Sequence, residues 1–319
     1  MVPESILPQR HISGLPTLRR VVGGQLSILQ ADCLVGRAAR CDLQIDEAYV
    51  SGEHAVVRWN GKDWEVRDLN SRNGTLLDGE RLVGGQAHVI QKDTKISFGH
   101  PDETWLFAND APPQVMAVSV DDAETLLLEG DVMAIPSGDS PEATIMRGPH
   151  GSWLLENSAG DVLPLENRDV FVVRERAWRF CCPQALAQTA VVEQAPSLRS
   201  SRLTFNVSMD EEHVEVLLES GGAAFKLGAR THNYLLLTLA RYRMQDAANG
   251  TWDAACGWVY LDDLLKALVT SSNQLNVDIH RIRKQFGVLG LADAASIVER
   301  RSRTGQIRIG VADLIVARS

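Results

Sequence analysis

The chain has few cysteines, no long apolar run and no recognisable catalytic motif. Its five cysteines, Cys33, Cys41, Cys181, Cys182 and Cys256, are an odd number without a Cys-x-x-Cys pair. A disulfide framework needs an even set in a small secreted chain, and a zinc site needs paired ligands at close spacing. Both are excluded, the thiols are expected as small packing residues, and neither metal nor cofactor is expected. No apolar run approaches the ~18 residues of a membrane span. Met1 to Pro16 lacks the basic-then-apolar layout of a signal peptide, so the expected location is the cytoplasm, with no membrane partner. Gly221-Gly222-Ala-Ala-Phe-Lys226 lacks the Walker spacing, and Gly-x-Ser-x-Gly and His-Glu-x-x-His are absent. The adjacent pairs Asp121-Asp122 and Asp262-Asp263 suit capping or solvation better than an acid–base dyad. No catalytic residue is assigned, and the chain is expected not to be an enzyme.

What is present points to several modules. With 319 residues the chain has room for two or three domains. The net charge of −9 is uneven: Arg199 to the end holds 15 Lys and Arg against 13 Asp and Glu, while the residues before it hold 17 against 28. An acidic front and a faintly basic back suggest two different tasks. Residues 17–108 read as short strands, such as Thr17 to Val22, Gln25 to Leu29, His54 to Trp59 and Trp64 to Leu69. Gly23-Gly24, Asn60-Gly61, Asn73-Gly74 and Asp78-Gly79 supply turns between them, which is the pattern of an all-β sandwich.

Three later segments follow. Residues 113–183 continue in β style, with strands at Thr144 to Arg147, Trp153 to Glu156 and Val170 to Val173, and are expected as a small β subdomain resting on or extending the first sandwich. Residues 184–199 read as a linker. Residues 200–319 change period: strands at Leu203 to Val207 and His213 to Leu218, helices at Tyr234 to Arg243, Leu261 to Val269 and Leu275 to Phe286, then a hairpin over Ile297 to Val311. Strands, three helices and a hairpin give the element order of an α+β winged helix.

Three blocks carry the clearest signal: Gly36-Arg37, Ser51-Gly52-Glu53-His54, and Asp68-Leu69-Asn70-Ser71-Arg72-Asn73-Gly74-Thr75. In order and spacing they resemble the forkhead-associated (FHA) family over about residues 14–110. The resemblance implies an FHA β-sandwich that binds phosphothreonine on a partner in a Ser/Thr kinase pathway, in a bacterial setting. Phosphothreonine brings nearly two negative charges and three acceptor oxygens, so its site needs a charged donor with short neutral donors beside it. Arg37 supplies a guanidinium and Ser51 a hydroxyl. By resemblance, Arg72 sits where the family often places another phosphate or peptide contact, and Asn73 holds the peptide backbone or braces the loop. Gly36, His54 and Gly74 are support residues. One departure stands out: the family commonly has Arg, Lys or Asn after the serine, whereas this chain has Gly52 followed by acidic Glu53. Arg37, Arg40, Arg58 and Arg72 are expected to focus a local positive field in an otherwise acidic region.

Asn276 to Phe286 resembles the recognition helix of response-regulator output domains, with Asn276 read as its N-cap. Leu275, Ile279, Ile282 and Phe286 make one apolar face, and His280, Arg281, Arg283 and Lys284 mostly lie off it. Arg300, Arg301 and Arg303 read as a basic wing. The resemblance implies DNA binding by these seven residues and transcriptional regulation. An adaptor or scaffold that contacts only protein remains the alternative, because a sequence pI of about 5.4 is low for a DNA-binding chain.

Overall fold

The computed structural model describes residues 14–121, 124–148, 151–183 and 196–318. These divide into two compact units. The first runs to Val115 and takes in a short segment from Cys181; the second comprises Met116–Phe180 and the C-terminal residues.

The first unit is built from β1 (Thr17–Arg20), β2 (Leu26–Ile28), β3 (Asp32–Gly36), β4 (Leu43–Gln44), β5 (Ala55–Trp59), β6 (Trp64–Asp68), β7 (Thr75–Leu77), β8 (Glu80–Arg81), β9 (Ala87–Ile90), β10 (Lys95–Phe98) and β11 (Thr104–Asn109). One sheet has the order β2-β1-β11-β10-β7-β8 and the other β4-β3-β5-β6-β9. Alternation explains the sandwich: along β6, Trp64, Val66 and Asp68 turn inward while Glu65 and Arg67 stay partly exposed. Leu18, Val35, Val57, Trp64, Ile96, Phe98, Trp105 and Phe107 fill the core between the sheets. Asn60 makes the β5–β6 turn by accepting hydrogen bonds at Oδ1 from the N–H groups of Lys62 (2.9 Å) and Asp63 (2.8 Å). The expected β-sandwich is therefore present.

The second unit continues with β12 (Met116–Ser119), β13 (Thr125–Leu127), β14 (Val132–Ile135), β15 (Ala143–Arg147), β16 (Trp153–Asn157), β17 (Val162–Leu165), β18 (Val170–Val173) and β19 (Arg176–Cys181). They form two four-stranded sheets, β13-β12-β19-β18 and the meander β14-β15-β16-β17. After the segment 184–195, which lies outside the described residues, come β20 (Arg202–Val207), β21 (Val214–Ser220), β22 (Ala223–Ala229), α1 (Asn233–Ala248), β23 (Val259–Tyr260), α2 (Leu261–Leu268), α3 (Ser272–Gly287), β24 (Val298–Arg301), β25 (Gln306–Ile309) and β26 (Asp313–Arg318). β26 pairs parallel with β20, from Arg202 against Asp313 to Val207 against Arg318. Among the described residues no helix is long and apolar enough to cross a membrane, and all five cysteines are buried.

Three points add to the sequence reading, and the start of α3 corrects it. Met116–Phe180 groups with the C-terminal residues in the second unit. Helix α3 starts one turn earlier than expected, because Ser271 and not Asn276 is its N-cap: the Ser271 hydroxyl accepts from the Gln274 N–H at 3.2 Å. The stretch around Gly221-Gly222, read only as a failed phosphate loop, is the turn between β21 and β22.

Candidate functional site

At one edge of the first unit, the β3–β4, β4–β5 and β6–β7 loops meet. Each strand end delivers one block of the motif. The Arg37 N–H donates to the Ser51 carbonyl at 2.9 Å and the Ala38 N–H to the Gly52 carbonyl at 3.0 Å, which ties the first loop to the second. Gly36 permits this approach, since a Cβ there would collide with the Gly52 carbonyl oxygen. The second loop meets the third through the Arg72 N–H, which donates to Ser51 Oγ at 3.0 Å. With its oxygen already accepting, the Ser51 hydroxyl proton is left to donate outward. Asn73 Nδ2 donates to the Tyr49 carbonyl at 2.8 Å, so this amide braces the loop.

Two buried polar residues lie beneath the loops. His54 is fully buried; its Nδ1 accepts from the Ser51 N–H at 3.1 Å, and its Nε2 therefore carries the proton that goes to the Gly74 carbonyl at 3.1 Å. Gly74 has φ +81°, a left-handed conformation that favours glycine. Asp68 accepts from the Ser71 N–H (2.8 Å), the Ser71 hydroxyl (2.6 Å) and the Thr75 hydroxyl (2.7 Å). Burial alone would raise this carboxyl, but the bonds from Ser71 and Thr75 outweigh it and hold it below the usual range. In the sequence Asp68 and Thr75 stand only as letters of the third block; the Asp-x-x-Ser spacing of an Asx turn is the available signal. Nothing in the sequence marked the Tyr49 carbonyl.

Burial depresses the His54 pKa, against the opposing pull of the Gly74 carbonyl and Asp68. The unfolded chain takes up this proton near pH ~6.5, while the folded site resists it until lower pH. Below that value the unfolded state binds more protons, so stability is full above it and falls as the pH drops. His280 in the second unit is shifted the same way by burial. Urea unfolding of the full chain is expected to show a lower midpoint at about pH 5 than at about pH 7.5. The His54→Gln variant should be less stable at both and lose part of that slope; an unchanged slope would remove His54 as a source.

Of the four arginines expected to focus positive charge, two are neutralised. Arg40 Nε lies 2.7 Å from the Glu53 carboxylate, and Arg58 Nε 3.0 Å from Asp32. Arg37 and Arg72 are exposed, and among the described residues no carboxylate pairs with either. The acidity of Glu53 is met by Arg40.

The seven residues expected to contact DNA fare differently. Helix α3 carries a second buried stripe besides Leu275, Ile279, Ile282 and Phe286: Val277, His280, Arg283 and Gly287. Arg283, 1% exposed, makes a bidentate pair with Glu156 of β16 at 2.8 and 3.1 Å and also donates to the Val298 carbonyl at 2.8 Å. The imidazole of His280 packs on Gly138. Lys284 pairs with Glu129. Arg300 donates to the Ser158 carbonyl at 2.8 Å and to Asn276 Oδ1 at 2.6 Å, with Glu156 3.6 Å from its Nε. Arg301 lies over the Trp258 ring at 4.3 Å. Arg281 and Arg303 remain exposed. The expectation that His280 and Arg283 lie on an open face is thus corrected: the meander sheet of the same unit covers them.

Residues 33–99 match the FHA domain family model. The FHA domain-containing protein FhaB of Mycobacterium tuberculosis is 36% identical over 63 residues, 20% of this chain and 41% of FhaB. FhaB of Mycolicibacterium smegmatis is 34% identical over 84 residues, 25% of this chain and 54% of the relative. The chain thus spans roughly half or less of these relatives' lengths. Among solved structures, Mycobacterium tuberculosis EmbR in complex with a low-affinity phosphopeptide is 28% identical, with a TM-score of 0.29, covering 31% of this chain and 25% of EmbR. With a two-sheet sandwich, three motif blocks at one edge and a family match across them, residues 33–99 of this chain are an FHA domain.

Proposed function

We propose that this chain is a phosphothreonine-dependent signalling adaptor. Its FHA domain captures a phosphothreonine placed on a partner by a Ser/Thr kinase, and residues 200–319, read as a winged helix, act as a second contact module. The observation that carries this reading is the pairing pattern at the loop edge: Arg37 and Arg72 are exposed without carboxylate partners, while the Ser51 hydroxyl between their loops keeps its proton to donate. A dianionic phosphate complements two guanidiniums and a hydroxyl. The FHA family match across residues 33–99 agrees with this class of ligand. The transcriptional alternative would use α3 and the wing on DNA; the meander sheet stands on that helix, which favours the adaptor reading for this state.

Fluorescence anisotropy with a degenerate phosphothreonine peptide library, run beside unphosphorylated and phosphoserine sets, tests the proposal. Binding confined to the phosphothreonine set supports it; equal binding of all three sets removes it. A gain is expected as well. A Cβ on Gly52 would meet nothing within 4 Å, and its φ is not in the left-handed region. Gly52→Arg should therefore fold normally and place another guanidinium beside Ser51. A charge-assisted bond of about 1.5 kcal/mol would tighten phosphopeptide binding roughly tenfold, and the gain should shrink with added salt. Unaltered affinity in low salt would show that Gly52 does not face the phosphate.

A further inference from the structure

A small cavity, open on one side, lies within the second unit where β15 and β16 of the meander sheet meet α3 and β24. Arg283 and Arg300 both line it, and their side chains are only 2% and 8% exposed. Among the described residues, the Nε atoms of both arginines are buried without a hydrogen-bond partner. Buried donors of this kind are normally satisfied, by protein or by something bound. Asn276, also on the wall, adds a neutral donor: its Oδ1 accepts from Arg300 at 2.6 Å, which leaves Nδ2 to donate.

The charges on the wall do not balance. Glu156 faces both guanidiniums, held by Arg283 at 2.8 and 3.1 Å and lying 3.6 Å from Arg300 Nε. The other carboxylate on the wall, Glu142, is paired with Arg174. Two buried cations therefore share one carboxylate. Burial pulls the Arg300 pKa down, with Glu156 opposing and Arg283 adding to the fall, but a guanidinium stays protonated in a protein. The excess positive charge is thus permanent, and a buried charge without a counterion is costly. The interior admits about one water-sized particle. A halide fits that space, whereas a phosphate or sulfate, with four oxygens about its central atom, does not.

We propose that this cavity is a binding site for a small monovalent anion of the chloride class, held by Arg283, Arg300 and Asn276. The ion neutralises the spare guanidinium and fastens the meander sheet to α3 and β24. The inference concerns the second unit alone and does not depend on the phosphothreonine reading.

The test is urea unfolding of the full chain while sodium chloride replaces sodium gluconate at constant ionic strength, so that screening is unchanged. Helical circular dichroism reports the second unit, because the described helices all belong to it. The wild-type midpoint should rise with chloride and, past half-saturation, climb with the logarithm of its concentration. Arg300→Met removes the spare charge and should abolish the chloride response. Asn276→Asp supplies the negative charge from the chain itself and should likewise give the same midpoint in chloride and gluconate. Should Arg300→Met not unfold cooperatively, Asn276→Asp decides the question. A wild-type midpoint that is the same in the two salts overturns the proposal, since the cavity then takes water. So does Asn276→Asp retaining the full chloride response, because the ion would then bind elsewhere.

Discussion

Arg37→Ala should remove the phosphate-dependent part of peptide binding, a loss of about 2–5 kcal/mol, the size seen when one partner of a desolvated charge pair is truncated. That is a factor of roughly thirty to several thousand in Kd. The substitution is a clean one, because the loop does not rely on the side chain. The Arg37 N–H still reaches the Ser51 carbonyl and the Ala38 N–H the Gly52 carbonyl, so alanine keeps the cradle and deletes the cation. Stability should therefore change by no more than about 0.5 kcal/mol, as for an exposed site. Arg72→Ala should weaken binding less if its side chain reaches the peptide and not the phosphate, since its backbone N–H, which orients Ser51, survives the change. Anisotropy titrations of both variants decide the matter. An Arg37→Ala protein that still binds phosphothreonine peptide at wild-type strength would sink the assignment of the site.

Asp68→Ala should act through the fold and the site together. Its carboxylate, 3% exposed, receives three donors from Ser71 and Thr75. Alanine leaves a buried N–H and two hydroxyls without their acceptor, a loss of roughly 2–4 kcal/mol. The Ser71 hydroxyl also accepts from the Gly74 N–H at 3.0 Å, so the loop bearing Arg72 and Asn73 loses its inner tether. Both the urea midpoint of the first unit and phosphopeptide affinity should fall. Asp68→Asn should cost less, because one oxygen still accepts and the Ser71 and Thr75 hydroxyls can rotate. The acid side follows from the depressed carboxyl: an unfolded Asp68 binds its proton near 3.8 and the folded one at lower pH. Its contribution is thus intact above about pH 4 and lost as the pH falls through the folded value. Equal midpoints for wild type and Asp68→Ala would contradict this account.

The FHA sandwich was legible because its signals are local. Alternating strands, Asn-Gly and Asp-Gly turns and three motif blocks each depend on neighbours within a few residues. The loop bonds that assemble the site are long-range in sequence, yet most join motif positions, through backbone groups of Arg37, Ser51 and Arg72 and the side chains of Ser51 and His54; the Tyr49 carbonyl that Asn73 reaches lies outside the motif. The second unit hides more. That α3 carries Leu275, Ile279, Ile282 and Phe286 on one face is visible in the spacing. That His280 and Arg283 are buried on another face is not, because their partners Gly138 and Glu156 are more than a hundred residues away. A helix with one apolar stripe and a polar remainder reads as a surface helix; only the position of the meander sheet shows otherwise. Likewise Ser271, five residues upstream of Asn276, was an equally good cap by residue type.

The pairing of Glu156 with Arg283 also sets an order for biosynthesis. Residues are added at ~5–20 per second, so Glu156 emerges several seconds before Arg283. During that interval β14, whose four residues are all buried in the finished protein, waits in the same sheet as Glu156 for a helix that does not yet exist. A nascent chain stalled or cleaved before Ser272 would display that strand and strand its carboxylate, the kind of species that chaperones hold and proteases remove. Residues 116–180 should accordingly resist expression by themselves, and a fragment ending at residues 184–195, which keeps 116–180 but lacks α3, should be less soluble than the full chain.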